Sequence, residues 1–374
     1  MVNVLLDSMV FAHYQGGGVA RYFNELIPLI TRDSPDIRFL LAGDASMLGG
    51  CANIRRLKIL SPMKYRPWRL FWKHIHERRV RRFQSQGDVY LATYYTPRPQ
   101  PAMKSVVVVY DLIDADFPCV NPNGHEFVVN QRQVIENADR VIAISEATKS
   151  RILQHATVPE DRIDVIYPVL GSRFLVVPSP VAVQTFRKQY GLSRPYWLYV
   201  GYRSCYKNIE CLLRAYSMVA HELGIDLVLA GGEKELMPHE LAFVFQERLE
   251  HRVHLVGRLP DEMLSAAYAG AVGFVYPSFG EGFGIPLLEA MQCGVPVVAS
   301  DIPVFREVAA DAALYFDPHS ALALAHSIRA VHETGIRERL THLGTMRVKK
   351  FEGNQSVNQM AGLLRQVAGL RSRR

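Results

Sequence analysis

Two glutamates and two basic residues in the second half of the chain have the types and spacing to do chemistry. Glu281 and Glu289 lie in the run YPSFGEGFGIPLLEAMQCGVPVVASD, residues 276–301, where Gly280, Gly282 and Gly284 surround Glu281 and Pro286 follows. Proline favours the first helical position, where its missing N–H costs nothing, so a helix is predicted to open there. Leu287, Leu288, Ala290 and Met291 would carry its apolar face into a core. Free backbone N–H groups at such a start suit a phosphate or sugar hydroxyls, and glycines let the main chain come close. Either glutamate alone reads as a helix-end charge favoured by the dipole. The pair gains meaning from its setting, a strand end before it and a second strand running to Asp301 after it. Arg203 and Lys207 follow another strand end, at Gly201. Fixed cations there would lower the barrier to departure of a diphosphate. Without the two glutamates they would read equally well as a solvated basic loop.

These residues need a scaffold of strands and helices. At 374 residues the chain is too long for one ordinary domain and suits two. It is 49% hydrophobic and 21% charged, enough apolar material for two cores. Strands are predicted at Val2–Leu6, Ile37–Leu41, Asp88–Leu91, Ser105–Tyr110 and Arg140–Ile144, then at Tyr196–Val200, Asp226–Ala230, Arg252–Val256, Val272–Tyr276, Val295–Ala299 and Ala313–Phe316. Helical patterns fall at Asn208–Glu222, Lys234–Leu249, Asp261–Ala269, Pro286–Cys293, Val304–Ala309 and Ser320–Glu333. Alternation of this kind predicts an α/β protein of parallel sheets covered by helices. Three prolines and a glycine in Pro168–Pro180 mark a linker. The expected division is residues 1–170 and 171–350, with 351–374 packing back on the first domain. Doubly wound sheets bind at the carboxyl ends of their strands, which places the ligand in the cleft between the two domains.

Other chemistries find less support. The five cysteines are scattered, with no C-x-x-C pair, so a disulfide scaffold or zinc site is not expected and a reducing compartment is. The opening MVNVLLDSMV lacks the pattern of a signal peptide, and runs such as Val106–Val109 are too short to cross a bilayer. Gly16, Gly17 and Gly18 fit neither a dinucleotide turn nor a P-loop. Asp114 and Asp116 form a D-x-D, a metal-holding pattern common by chance. The histidines show no metal-ligand spacing, and no G-x-S-x-G elbow is present. Net charge is +7, yet nothing resembles a nucleic-acid recognition motif, so no nucleic-acid partner is expected. Much of the excess lies in Lys64–Arg82, where basic residues interleave with aromatic ones. That stretch reads either as a solvated helix packed on its own domain or as a peripheral contact with an anionic membrane.

The run around Glu281 and Glu289, an E-x7-E pair inside GEGFGIPLLEAMQCGVPVVASD, resembles the donor-site signature of glycosyltransferase family 4. GGGVARYF, VVVVYDLIDADFP, ADRVIAISEATKSRI and YWLYVGYRSCYKNIECLLRAY extend the resemblance over most of the chain. It implies a GT-B architecture of two Rossmann-like domains and a retaining, metal-independent transferase with no cofactor. The donor would be a UDP- or GDP-linked sugar, glucose or mannose. The acceptor would be a saccharide or lipid-linked saccharide, in polysaccharide synthesis on the cytoplasmic side of a membrane. By the same resemblance Glu289 binds the ribose hydroxyls and Glu281 the transferred sugar. Main-chain groups of Phe283, Gly284 and Ile285 meet sugar and phosphate, and Arg203 and Lys207 neutralise the diphosphate. Gly17 and Gly18 approach it from the other domain, and the base lies against Val256, Arg258 and Leu259. The family often has a histidine before the aspartate of its N-domain strand. Here the pair is Tyr110–Asp111, and Tyr110 either offers a hydroxyl to the sugar side or packs. A sugar-nucleotide 2-epimerase and a non-catalytic sugar-nucleotide-binding module share this architecture. The first would convert the donor without an acceptor, and the intact Glu281, Glu289, Arg203 and Lys207 weigh against the second.

Overall fold

The computed structural model describes residues 1–7, 10, 18–42, 53–57, 82–83, 85–170 and 178–369. Gly17, nearly all of the basic stretch 64–82 and the centre of the stretch 168–180 lie outside these. The described strands form two parallel sheets. The first runs in the order β3-β2-β1-β4-β5-β6-β7, with β1 Val2–Leu6, β2 Ile37–Ala42, β3 Ile54–Leu57, β4 Val89–Ala92, β5 Lys104–Val109, β6 Arg140–Ala143 and β7 Ile163–Val165. The second runs β10-β9-β8-β11-β12-β13, with β8 Tyr196–Val200, β9 Asp226–Ala230, β10 Val253–Gly257, β11 Gly273–Tyr276, β12 Val297–Ser300 and β13 Ala313–Phe316. Strand order reverses between β1 and β4 in one sheet and between β8 and β11 in the other, and doubly wound folds bind ligands at such switch points. β4, β9, β11 and β12 are buried along their whole length, as strands covered by helices on both faces must be.

Contacts divide the chain into two units, residues 1–115, 123–169 and 353–374 in one and 116–122 with 170–352 in the other. The final helix, Asn354–Val367, belongs to the first unit, where Arg365 grips Asp36 through two 2.7 Å hydrogen bonds. That bond holds the Asp36 carboxyl below the usual carboxylate range.

Several elements differ from the sequence reading. The edge strands β3 and β7 are additional; one carries two arginines and the other has three residues, so neither shows an apolar run. The helix expected from Lys234 begins at Pro238, the first-turn position proline prefers. The helix expected over Asn208–Glu222 breaks after Ser217 into two. Thr334–Val348 forms a helix whose sequence shows no clear apolar stripe.

The cysteine expectation is corrected. Cys119 and Cys205, 86 residues apart, form a disulfide within the second unit. Sequence spacing reveals local pairs only, and here the segment 116–122 folds onto the turn after β8. Phe117 stacks on Tyr206 beside the bond, with ring centroids 5.8 Å apart. Digestion without reductant, after alkylation of free thiols, should release the two cysteine peptides joined. Recovery of both separately and alkylated contradicts the bond.

Candidate active site

The site grows from the carboxyl ends of β8 and β11, the neighbours at the second sheet's switch point. After β8 the chain makes a short helical turn, Cys205–Lys207, and Asn208 closes it in the left-handed region at φ 58°. The Asn208 amide donates to the carbonyls of Pro277 at 3.0 Å and Pro318 at 2.7 Å, and Phe279 N–H donates to Tyr206 O at 2.8 Å. Loop 201–208 is thereby tied to the glycine-rich loop after β11. Gly284 ends that loop at φ 98°, where a Cβ would meet the Phe305 ring at 3.0 Å. Only glycine suits both demands. The helix Ile285–Gln292 starts directly after it, with proline in its first turn.

Lys207 and Glu281 meet here. The buried Lys207 Nζ donates to Glu281 Oε1 at 2.5 Å and to the Tyr276 hydroxyl at 3.1 Å. Ser278 Oγ donates to the same Glu281 oxygen at 2.7 Å. Burial pulls the Lys207 pKa down, but Glu281 and then Tyr276 outweigh it and hold the ammonium well above its ordinary value. The ring centroids of Tyr206 and Tyr276 lie 4.9 and 5.2 Å from Nζ, so the charge is also cradled by aromatic faces. Glu289, 2% exposed, accepts a 2.9 Å hydrogen bond from the hydroxyl of Tyr268.

Arg203 shares a loop with Lys207 but is held elsewhere. Its Nε lies 3.3 Å from Glu240 Oε2, and its Nη atoms donate to the carbonyls of Glu233 and Glu235. Its guanidinium thus anchors segment 233–240 and is not joined to Lys207 or Glu281. Val256 and Leu259 are buried at the end of β10, with Arg258 exposed between them. Phe283 is buried edge-on against Phe351. In the first unit Gly18 opens the helix Gly18–Asp33. Tyr110 packs: its hydroxyl donates to Thr93 O at 2.9 Å and its ring meets Tyr22 and Phe23. Asp111 accepts from Ile113 N–H at 3.1 Å, at the start of a short helix that carries Asp114 and Asp116. Among the described residues, no three His, Cys, Asp or Glu side chains gather as a metal site needs.

Sequence reading passed over Tyr268, Tyr276, Ser278 and Asp7. The two tyrosines fall in runs that read as core. Ser278, three residues before Glu281, was legible only in hindsight of the turn. Asp7 directly follows β1 at the first sheet's switch point, a position that is itself a signal. It accepts from Thr93 N–H at 2.5 Å and from Thr96 Oγ1 at 2.6 Å.

The family model for glycosyl transferases group 1 matches residues 183–344. The O-antigen chain mannosyltransferase B of Escherichia coli is 35% identical over 269 residues, 70% of each chain. The chain belongs to the group 1 glycosyl transferases. The serotype-specific mannosyltransferase WbdA of Escherichia coli is 31% identical over 68% of this glycosyltransferase, which spans 32% of WbdA. Among solved structures, Anabaena HepE in complex with UDP and glucose superposes with a TM-score of 0.74 at 18% identity, covering 98% of this chain and all of the other. Sucrose-phosphate synthase from Thermosynechococcus elongatus gives 0.78 at 21% identity, covering 99% of this chain and 100% of that one. Those neighbours share its two parallel-sheet α/β units, the GT-B fold. No described helix of this glycosyltransferase is long and apolar enough to cross a membrane.

Proposed function

We propose that this glycosyltransferase is a retaining hexosyltransferase that moves mannose or glucose from a GDP- or UDP-sugar to a saccharide or lipid-linked saccharide in polysaccharide synthesis. The observation that carries the reading is the pairing of Lys207 with Glu281 at the ends of β8 and β11, with Glu289 on the helix that follows. The mannosyltransferase names of its relatives support mannose, and the UDP of the HepE complex supports a nucleotide diphosphate donor.

In this reading Glu289 takes the ribose hydroxyls and the main chain near Val256, Arg258 and Leu259 takes the base. The N–H groups of Phe283, Gly284 and Ile285 meet sugar and phosphate. Lys207 supplies the charge that stabilises the departing diphosphate. Arg203, already engaged by Glu240, shapes the loop that presents Lys207. Gly17 and Gly18 remain proposed donor contacts, and Asp111 a sugar-side one. The acceptor oxygen bonds to the anomeric carbon on the face from which the diphosphate leaves, and the departing phosphate oxygen takes the acceptor proton. Glu281 faces the positive character that develops in the ring, and no enzymic nucleophile takes part. Contact of the 64–82 stretch with anionic lipid would bring the protein to a lipid-linked acceptor.

With charge supplied by Lys207, no divalent ion is needed, and activity should survive excess EDTA. Loss with EDTA and recovery with Mn²⁺ would move the diphosphate site to Asp114 and Asp116. The donor itself is tested by a thermal-shift and hydrolysis screen of UDP- and GDP-sugars, since a ligand that binds the native state stabilises it more the tighter it binds. A single stabilising sugar nucleotide is expected, and no shift with any of them contradicts the reading.

A further inference from the structure

We infer that Tyr268 is a positioning residue for donor recognition, a fixed phenol that aims the Glu289 carboxylate at the ribose hydroxyls. The inference rests on the reading of Glu289 just given and adds to it the group that sets its geometry.

Tyr268 lies on the helix Asp261–Ala269, 21 residues before Glu289 and on a different helix. Its side chain is fully buried, with its ring 5.4 Å from that of Phe274. The same helix is fastened to the sheet by Tyr196, whose hydroxyl donates to Ala267 O at 2.7 Å. The phenol therefore sits on a rigid mount. Burial, and then the charge of Glu289, push its pKa well above the ordinary value, so the hydroxyl stays protonated and can only donate to the carboxylate.

Glu289 needs that donor for two reasons. A carboxylate buried to 2% exposure is costly unless hydrogen bonds replace its water. The last torsion of a glutamate is also soft, with a broad and roughly two-fold preference, so the side chain alone does not fix the plane of its oxygens. The 2.9 Å bond from Tyr268 to Oε2 restrains that plane. A carboxylate has about four lone-pair sites, so one donated bond does not preclude others.

The test titrates calorimetrically whichever of UDP and GDP the protein binds, and its 2′,3′-dideoxy form, into the wild type, Tyr268→Phe, Glu289→Gln and the double variant. The wild type should prefer the ribonucleotide by about tenfold or more. Tyr268→Phe should lower ribonucleotide affinity several-fold and leave the dideoxynucleotide nearly unchanged, so discrimination narrows, while kcat at saturating donor holds. Added to Glu289→Gln, it should cost little further affinity, because the two act through one contact. A role in packing alone predicts equal losses for both nucleotides and additive losses in the double variant, and either result overturns the inference. Discrimination that survives Tyr268→Phe intact overturns it too, while leaving Glu289 as the ribose ligand. A wild type that binds both nucleotides alike overturns the reading of Glu289 and this inference together. Tyr268→Phe keeps the ring, and a single cooperative melting transition without ligand, lowered only by the lost hydrogen bond, shows that it folds.

Discussion

Glu281→Gln should lower kcat by about a hundredfold to a thousandfold while free UDP or GDP binds nearly as before. An interaction that strengthens as the ring acquires positive charge appears in kcat rather than in KM. The amide keeps the shape of the side chain and loses the charge. Stability should fall as well, because Lys207 and Glu281 are buried together, with side chains 9% and 11% exposed. Removing one partner of a buried pair costs about 3–5 kcal/mol, and the retained amide oxygen should hold the loss toward the lower figure. Activity and stability can be separated. Replacing both charges, with Lys207→Met and Glu281→Leu, should return most of the lost stability, since apolar substitutes for buried ion pairs are often neutral or stabilising. It should return none of the activity. Recovery of activity in that double variant would show that the pair is a structural tie and nothing more.

Glu289→Gln should act on binding. If its carboxylate holds the ribose, it contacts a part of the donor that does not react, with similar strength in ground and transition states. The substitution should raise donor KM and weaken free nucleotide by about tenfold to a hundredfold, the value of a hydrogen bond to a charged group, with kcat little changed. The Tyr268 hydroxyl can still donate to the amide oxygen, so the fold should tolerate the change. Were both glutamates only helix-end charges, both substitutions would lower stability slightly and leave donor kinetics alone.

What could be read from the residues followed the range over which the physics acts. The inner strands of both sheets are continuous apolar runs between turn residues, and such runs announce themselves. β3 and β7 do not, because IRRL and IDV lie at sheet edges, where little need be buried on both faces. Glycines, proline and paired acids around Glu281 were legible because loop, helix start and charge lie within a dozen residues. The partners of those charges were not. Lys207 reaches Glu281 across 74 residues, Tyr268 reaches Glu289 from another helix, and Cys119 meets Cys205 only once the loops around them are folded. Arg203 has long-range partners too. Its place beside a strand end suggested a phosphate contact, and its guanidinium also bonds Glu240 and two carbonyls, thirty or more residues away. For Tyr110 the residues left a ligand hydroxyl or packing open, and its hydroxyl is bonded to the Thr93 carbonyl.

The most direct measurement is calorimetric titration of the unsubstituted protein with UDP and GDP in the presence of EDTA. One of the two should bind at a single site per chain without a divalent ion, and Lys207→Met should weaken that binding sharply. Neither nucleotide binding at millimolar concentration, or binding that appears only with Mn²⁺, would contradict the donor site built on Lys207, Glu281 and Glu289.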